Sequence, residues 1–203
     1  MGIAIKTIKT KERMTTRVVT DKVRFSFCNV CSPRRNEFNG KDEFSTQILV
    51  AKADTTTLAE IKAAAKAALS AKWGDKVPAK VRNPLRDGDT ETKGDGSALG
   101  PEYKDHFFMT VKSSKRPGII DSSGVELLGS DDVASGDWGR VSLNAYAYDA
   151  AGNKGVSFGL NNVQLMSKGE PLGGGRTSAA ADFGVAKLAA APVAETVADD
   201  DNW

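Results

Sequence analysis

Apolar and polar residues alternate most cleanly between Trp138 and Met166. Val141, Leu143, Ala145 and Ala147 fall on one side of an extended chain; Ser142, Asn144, Tyr146 and Tyr148 fall on the other. A period of two predicts a half-buried strand. Val156, Phe158 and Leu160 then alternate with Ser157, Gly159 and Asn161 on a return strand. Asp149 to Gly155 supplies the turn, with Gly152-Asn153 suited to positive φ. The same alternation predicts strands over Val18–Phe27, Phe44–Ala51 and His106–Val111. In the first, Val19, Asp21, Val23, Phe25 and Phe27 share a face. In the last, Phe107, Met109 and Val111 oppose Phe108, Thr110 and Lys112.

One stretch changes to a helical period. Thr57-Leu-Ala-Glu60 reads as a capping box, and Leu58, Ile61, Ala65, Ala68 and Leu69 make a narrow apolar stripe. Gly74 follows Trp73 as a stop. Lys62, Lys66 and Lys72 read as a solvated face. From Val77 to Tyr103 the chain is rich in Pro, Gly and Asp; so long a loop is usually functional or mobile. Five strands, one capped helix and long loops predict a mainly β fold, an OB-fold-like five-stranded barrel with the helix across one end. The expected division is a flexible arm over 1–17, the binding domain over 18–178, and a disordered acidic tail over 179–203 that ends in Trp203.

Charge sharpens that division. The chain has 203 residues and a net charge of +2. Residues 179–203 hold five acids against Lys187, a charge of −4, which leaves +6 for the remainder. A basic body with an acidic tail points to an anionic partner for the body and a separate task for the tail. No apolar run is long enough for a membrane span, and the first residues are too polar for a secretory signal. Two cysteines argue against a disulfide framework and for a reducing cytoplasm.

Several groups are candidates for chemistry. The outward face of the hairpin carries Tyr146 and Tyr148, with Arg140 and Lys154 near the strand ends. Lys112, Lys115 and Arg116 follow a strand whose outer face presents Phe108. Rings beside cations suit single-stranded nucleic acid, because bases stack on rings while phosphates meet Lys and Arg. The alternatives are a second packed face and an ordinary solvated loop. Cys28 and Cys31 form at most half of a zinc site, and His106 is the only histidine. Asp87, Asp89 and His106 allow an alternative, a metal-dependent nuclease; against it stands the plain reading of turn-forming aspartates and a strand-start histidine. In the tail, Asp199, Asp200 and Asp201 can mimic phosphates, and Trp203 can mimic a stacked base.

Taken together, WGDK (73–76), LRDGD (85–89), KSSKRPGIID (112–121), NAYAYDAAGNKGVSFGLNNVQ (144–164) and GEPLGGGRTS (169–178) resemble the bacteriophage single-stranded-DNA-binding proteins formerly known as a domain of unknown function. The resemblance runs from about Val23 to the C-terminus. It implies an OB-fold and sequence-tolerant binding of single-stranded DNA during phage replication or recombination. It also implies no catalysis, and an acidic tail that contacts replication partners such as a polymerase, helicase or primase. Location in the bacterial host cytoplasm, no cofactor and no membrane contact follow as expectations, and a homodimer stays open.

Overall fold

In chain order the strands are β1 (Arg17–Val19), β2 (Val23–Arg35), β3 (Asp42–Ala51), β4 (Arg86–Asp87), β5 (His106–Ser113), β6 (Gly118–Ile120), β7 (Trp138–Ala150) and β8 (Asn153–Ser167). Helix α1 (Thr55–Trp73) lies between β3 and β4, and a 3-10 turn spans Pro101–Tyr103. The structure is a computed structural model and describes residues 15–37, 40–150 and 152–172. These lie within one unit, Met1–Gly173. Most of the expected arm and the whole tail, with Asp199, Asp200, Asp201 and Trp203, lie outside the described residues.

The predicted hairpin forms the longest ladder: β7 and β8 pair antiparallel from Trp138↔Ser167 to Ala150↔Asn153. Gly152 takes a φ of 76° in the tight connection, which a glycine does without steric penalty. Neighbouring strands then run β7–β2–β3–β5–β8 and return to β7, a five-stranded ring. Its seams are thin. β2 meets β7 at only Val23↔Gly139 and Arg24↔Trp138, and β5 meets β8 at the single parallel pair Lys112↔Gly159. The short strands β1, β4 and β6 attach to β7, β5 and β8. The fold is thus the mainly β, OB-fold-like barrel that the alternation predicts.

The inward residues are the expected ones. Phe25, Ile48, Val50, Met109, Val111, Val141, Leu143 and Phe158 are each fully or almost fully buried. Leu58, Ile61, Ala64 and Ala68 of α1 join the same core. The helix starts earlier than the capping box implies. Asp54 is the N-cap, its Oδ1 accepting the Thr57 amide at 2.9 Å. Thr57 is consumed differently: its buried hydroxyl accepts the Asp21 amide at 3.0 Å and ties the helix to the turn between β1 and β2. A carboxylate three residues before Thr57 is the better acceptor for the free first-turn amides.

Two further expectations are corrected. Val18–Phe27 is not one strand, because Thr20 exchanges two hydrogen bonds with Val141 and breaks it in two. Asp21 sits exposed in that break, which explains why it spoiled the apolar face. Phe27 also leaves the face. It lies at a register shift between Ser26 and Asn29, with φ 46° and 64% exposure, so a bulge turns it outward. The strand then continues through Pro33-Arg34-Arg35, which reads as a turn in sequence. Pro33 is tolerated because it falls in the irregular stretch between Asn29 and Arg34, where no regular ladder bond is lost.

Gly139 makes the thin β2–β7 seam possible. A Cβ there would strike the Gln164 carbonyl and come within 2.6 Å of the Phe25 ring. Gly139→Ala is expected to lower the unfolding free energy by about 1–3 kcal/mol through overpacking. Urea denaturation checks this as a lower midpoint with an unchanged slope.

Candidate nucleic-acid interface

The outer face of the hairpin is built by pairing large residues with glycine. Tyr148 lies opposite Gly155, and Tyr146 opposite Ser157. A Cβ on Gly155 would sit 2.5 Å from Tyr148 Oη, and one on Gly159 would sit 3.9 Å from Tyr146 Cε1. Both rings therefore lean over bare backbone of β8. Lys112 of β5 stands in register with the same Gly159 from the other side. Tyr146 is 51% exposed, and Tyr148 is half-buried along the wall of a groove.

That groove has about 650 Å³ and is lined by Arg82, Asn83, Pro84, Arg86, Glu91, Thr110, Lys112, Tyr148, Val156 and Ser157. Through Lys112 it adjoins a hollow of about 270 Å³ under the β2–β3 hairpin, with Arg34, Arg35, Asn36, Glu37, Glu43 and Ser45. Through Arg82 it adjoins another of about 380 Å³ at the tip of the β7–β8 hairpin, with Lys80 and Lys154. The three hollows share seven cations (Arg34, Arg35, Lys80, Arg82, Arg86, Lys112 and Lys154) and three acids, so the trough attracts anions. Arg82 is not on a loose loop. Its amide donates to the Lys154 carbonyl at 2.9 Å and its carbonyl accepts from Val156 at 3.2 Å.

The structure gathers some predicted site residues and scatters others. Lys112, Tyr146, Tyr148 and Lys154 meet on this face. Lys112 pairs with Glu43 at 3.0 Å, and Lys154 with Asp149 at 3.5 Å. Phe108 does not present a ring to solvent; it is 2% exposed. Tyr103 packs edge-on against it at 5.0 Å, and the Arg86 guanidinium covers it at 4.4 Å. The Tyr103 hydroxyl, lying 3.0 Å from Ser26 Oγ, donates to Gln47 Oε1 at 2.7 Å, and burial pushes its phenol pKa up. The outward residues Leu49 and Phe108 thus form a second small core under the 3-10 turn, a cover that alternation alone does not reveal. Arg116 donates to the carbonyls of Leu127 and Leu128 at 3.4 and 3.0 Å and holds the chain after β6. Lys115 is exposed outside the three hollows. Arg140 donates to the Thr20 carbonyl at 2.9 Å, and lines a separate shallow trough with Arg17 and Asn162. It lies eight positions down β7 from Tyr148, roughly 26 Å away. Sequence reading missed Arg34, Arg35, Lys80, Arg82 and Arg86, all of which stood in stretches that read as loop.

The nuclease candidates are engaged elsewhere. Asp87 and Asp89 both contact Lys52 Nζ at 2.6 Å, and Asp89 also accepts the Asp105 amide at 3.0 Å. The hydrogen bonds from Lys52 hold both carboxyls below the usual range. Together they staple the long loop to the barrel. His106 Nδ1 lies 2.6 Å from the Lys104 carbonyl oxygen. Among the described residues no group of three or more His, Cys, Asp and Glu side chains is placed to hold a metal. Cys28 and Cys31 are both free thiols.

A small OB-like barrel with an open cationic trough is an architecture suited to oligonucleotides. The profile of the family described as "Enterobacter phage Enc34, ssDNA-binding protein" matches residues 16–196, and the chain belongs to that family. A curated relative, "Putative protein p50" of Acyrthosiphon pisum secondary endosymbiont phage 1, is 28% identical over 177 residues, covering 82% of this chain and 92% of that protein. The fold matches the single-stranded DNA-binding protein from bacteriophage Enc34 in complex with ssDNA, with TM-score 0.63 and 20% identity over 78% of this chain and 90% of that one. It also matches gp2.5, a single-stranded DNA-binding protein encoded by bacteriophage T7, with TM-score 0.55 and 13% identity over 79% and 90% of the two chains.

Burial pushes the Cys28 thiol from its usual 9.0 up to about 11. Between those values the unfolded chain releases this proton and the folded chain keeps it. Stability contributed by the neutral thiol is therefore complete below pH 9 and declines as pH rises, by about 1.4 kcal/mol per unit. Cys28→Ala should flatten the fall in urea-unfolding free energy between pH 9 and 11; an equally steep fall in the variant would contradict the assignment.

Proposed function

We propose that this chain binds single-stranded DNA without sequence preference and without catalysis, coating it during phage replication or recombination in the host cytoplasm. The observation that carries the reading is the trough itself: Tyr148 laid over glycine backbone in its wall, Tyr146 exposed beside it, and seven cations along it. Bases stack on Tyr146 and Tyr148. Phosphates follow Lys154, Arg82, Arg86, Lys112, Arg34 and Arg35. Family membership and the ssDNA named in the Enc34 complex support this ligand. Lys115, Arg116 and Arg140 are secondary contacts in this scheme. Phe108 acts by seating Arg86 rather than by stacking on a base. Residues 18–178 constitute the binding domain, and residues 179–203 a tail that recruits a replication partner.

Titration of oligo-dT across a salt series tests the scheme. Tyr146→Ala and Tyr148→Ala should each weaken binding by about 1–3 kcal/mol. Arg82→Ala should lower the slope of log K against log salt by about 0.7. Folded variants that bind with unchanged affinity and slope would refute the trough as the binding face. Cleavage of the oligonucleotide with magnesium or manganese would instead favour the nuclease that uses Asp87, Asp89 and His106.

The tail has an independent test. Its covalent link to the body gives it a high effective concentration near an opposite charge. Truncation after Ser178 should tighten DNA binding at low salt and abolish capture of a polymerase, helicase or primase. Trp203→Ala should weaken that capture while leaving the tail charge intact. Unchanged low-salt affinity after truncation would refute competition between the tail and DNA for the trough.

A further inference from the structure

One acid stands inside the cationic trough with its carboxylate already bonded to the trough's central cation. Glu43 Oε2 lies 3.0 Å from Lys112 Nζ and accepts from Asn36 Nδ2 at 2.8 Å. The side chain is 20% exposed, against 50% for Lys112. Across the β2–β3 ladder its direct partner is Arg34. Lys112 is the residue shared by the main groove and the hollow under the β2–β3 hairpin, so any strand running between them passes over this pair.

We infer that Glu43 is a resident phosphate substitute, a carboxylate that holds the Lys112 seat until a DNA phosphate displaces it. The inference rests on the trough being the DNA site. An ion pair exposed to this degree contributes little by itself and is readily exchanged. A single small anion gains almost nothing from that exchange, because it trades one charge contact for another. A polyanion gains more: its neighbouring phosphates engage Arg82, Arg86 and Arg35 in the same event. Glu43 thereby biases the trough toward long single strands and against isolated phosphates or short oligonucleotides. The negative charge of Glu43 stays in the trough when the strand binds; it subtracts from the cationic charge the strand meets and flattens the salt dependence.

The test is Glu43→Gln in the full chain, titrated with oligo-dT of two lengths across salt. The amide oxygen still accepts from Asn36, so the hairpin keeps its bond. The variant is expected to bind more tightly at low salt, by roughly threefold to tenfold. Its salt slope should steepen by about 0.7, and short oligonucleotides should gain proportionally more than long ones. Lys112→Ala supplies the coupling: it should cost little in the parent chain, where Glu43 occupies the lysine, and markedly more in the Glu43→Gln background. Glu37→Gln, on the same hollow, is the charge control and should gain less. Unchanged or weakened binding in a Glu43→Gln variant with a normal melting curve would overturn the inference. Equal gains from Glu37→Gln without coupling to Lys112 would overturn it too. Failure of the parent chain to bind oligo-dT at all would instead refute the function proposed above.

Discussion

The candidate face depends on how β8 closes the ring. This strand must accept the whole length of β7 on one side and approach β5 on the other at Lys112↔Gly159. A parallel contact of one pair contributes few hydrogen bonds, so the seam relies on apolar burial of Val156, Phe158, Leu160 and Val163 beneath it. The outward positions are then left to small residues: Gly155, Ser157 and Gly159. With no Cβ at Gly155, the Tyr148 ring drops onto the strand, and Tyr146 stands exposed beside it. The same closure brings Lys112 alongside. Fold and site are therefore one arrangement, in which ring closure sets the spacing of rings and cation.

The electrostatics of the face are moderated by resident acids. Lys112 pairs with Glu43, and Lys154 with Asp149, in ion pairs that are partly exposed. Arg86 is positioned over Phe108 rather than by a carboxylate. The guanidinium lines the trough while resting against an apolar ring, a use that suits Arg better than Lys. Lys52 differs. Both Asp87 and Asp89 grip it at 2.6 Å, and it fixes the loop that carries Arg86. Some basic residues thus build the trough and others stand open along it; position in sequence does not separate them.

Alternation made most of the barrel legible, because a half-buried strand writes its two faces directly into the chain. The hairpin, β3 and β5 follow from that rule, and the helix follows from its own period. What escaped reading depends on long-range partners. Phe108 has the outward phase of β5, yet Tyr103, five residues upstream, folds back to bury it. Thr57 has the sequence of a cap, yet it serves Asp21, thirty-six residues away. Arg34 and Arg35 follow a proline and read as a turn, yet β3 holds them in a strand. Arg82 sits in a proline-flanked loop, yet bonds to Lys154 and Val156 give it a fixed place. In each case a partner that the local sequence does not reveal reassigned the residue.

The lining of the main groove also bears on specificity. Base identity is read through paired donors and acceptors on base edges, by Arg, Lys, amide and carboxylate side chains placed with free valences. The groove holds one amide side chain, Asn83, whose Oδ1 already accepts the Leu85 amide at 3.1 Å. Its other polar groups are Arg82, Arg86 and Lys112, the carboxylate of Glu91, and the hydroxyls of Thr110, Ser157 and Tyr148, which are indifferent between donor and acceptor. Ring faces stack on any base. On the function proposed above, bases are held by their ring faces, so sequence tolerance comes from stacking rather than from looseness of the site.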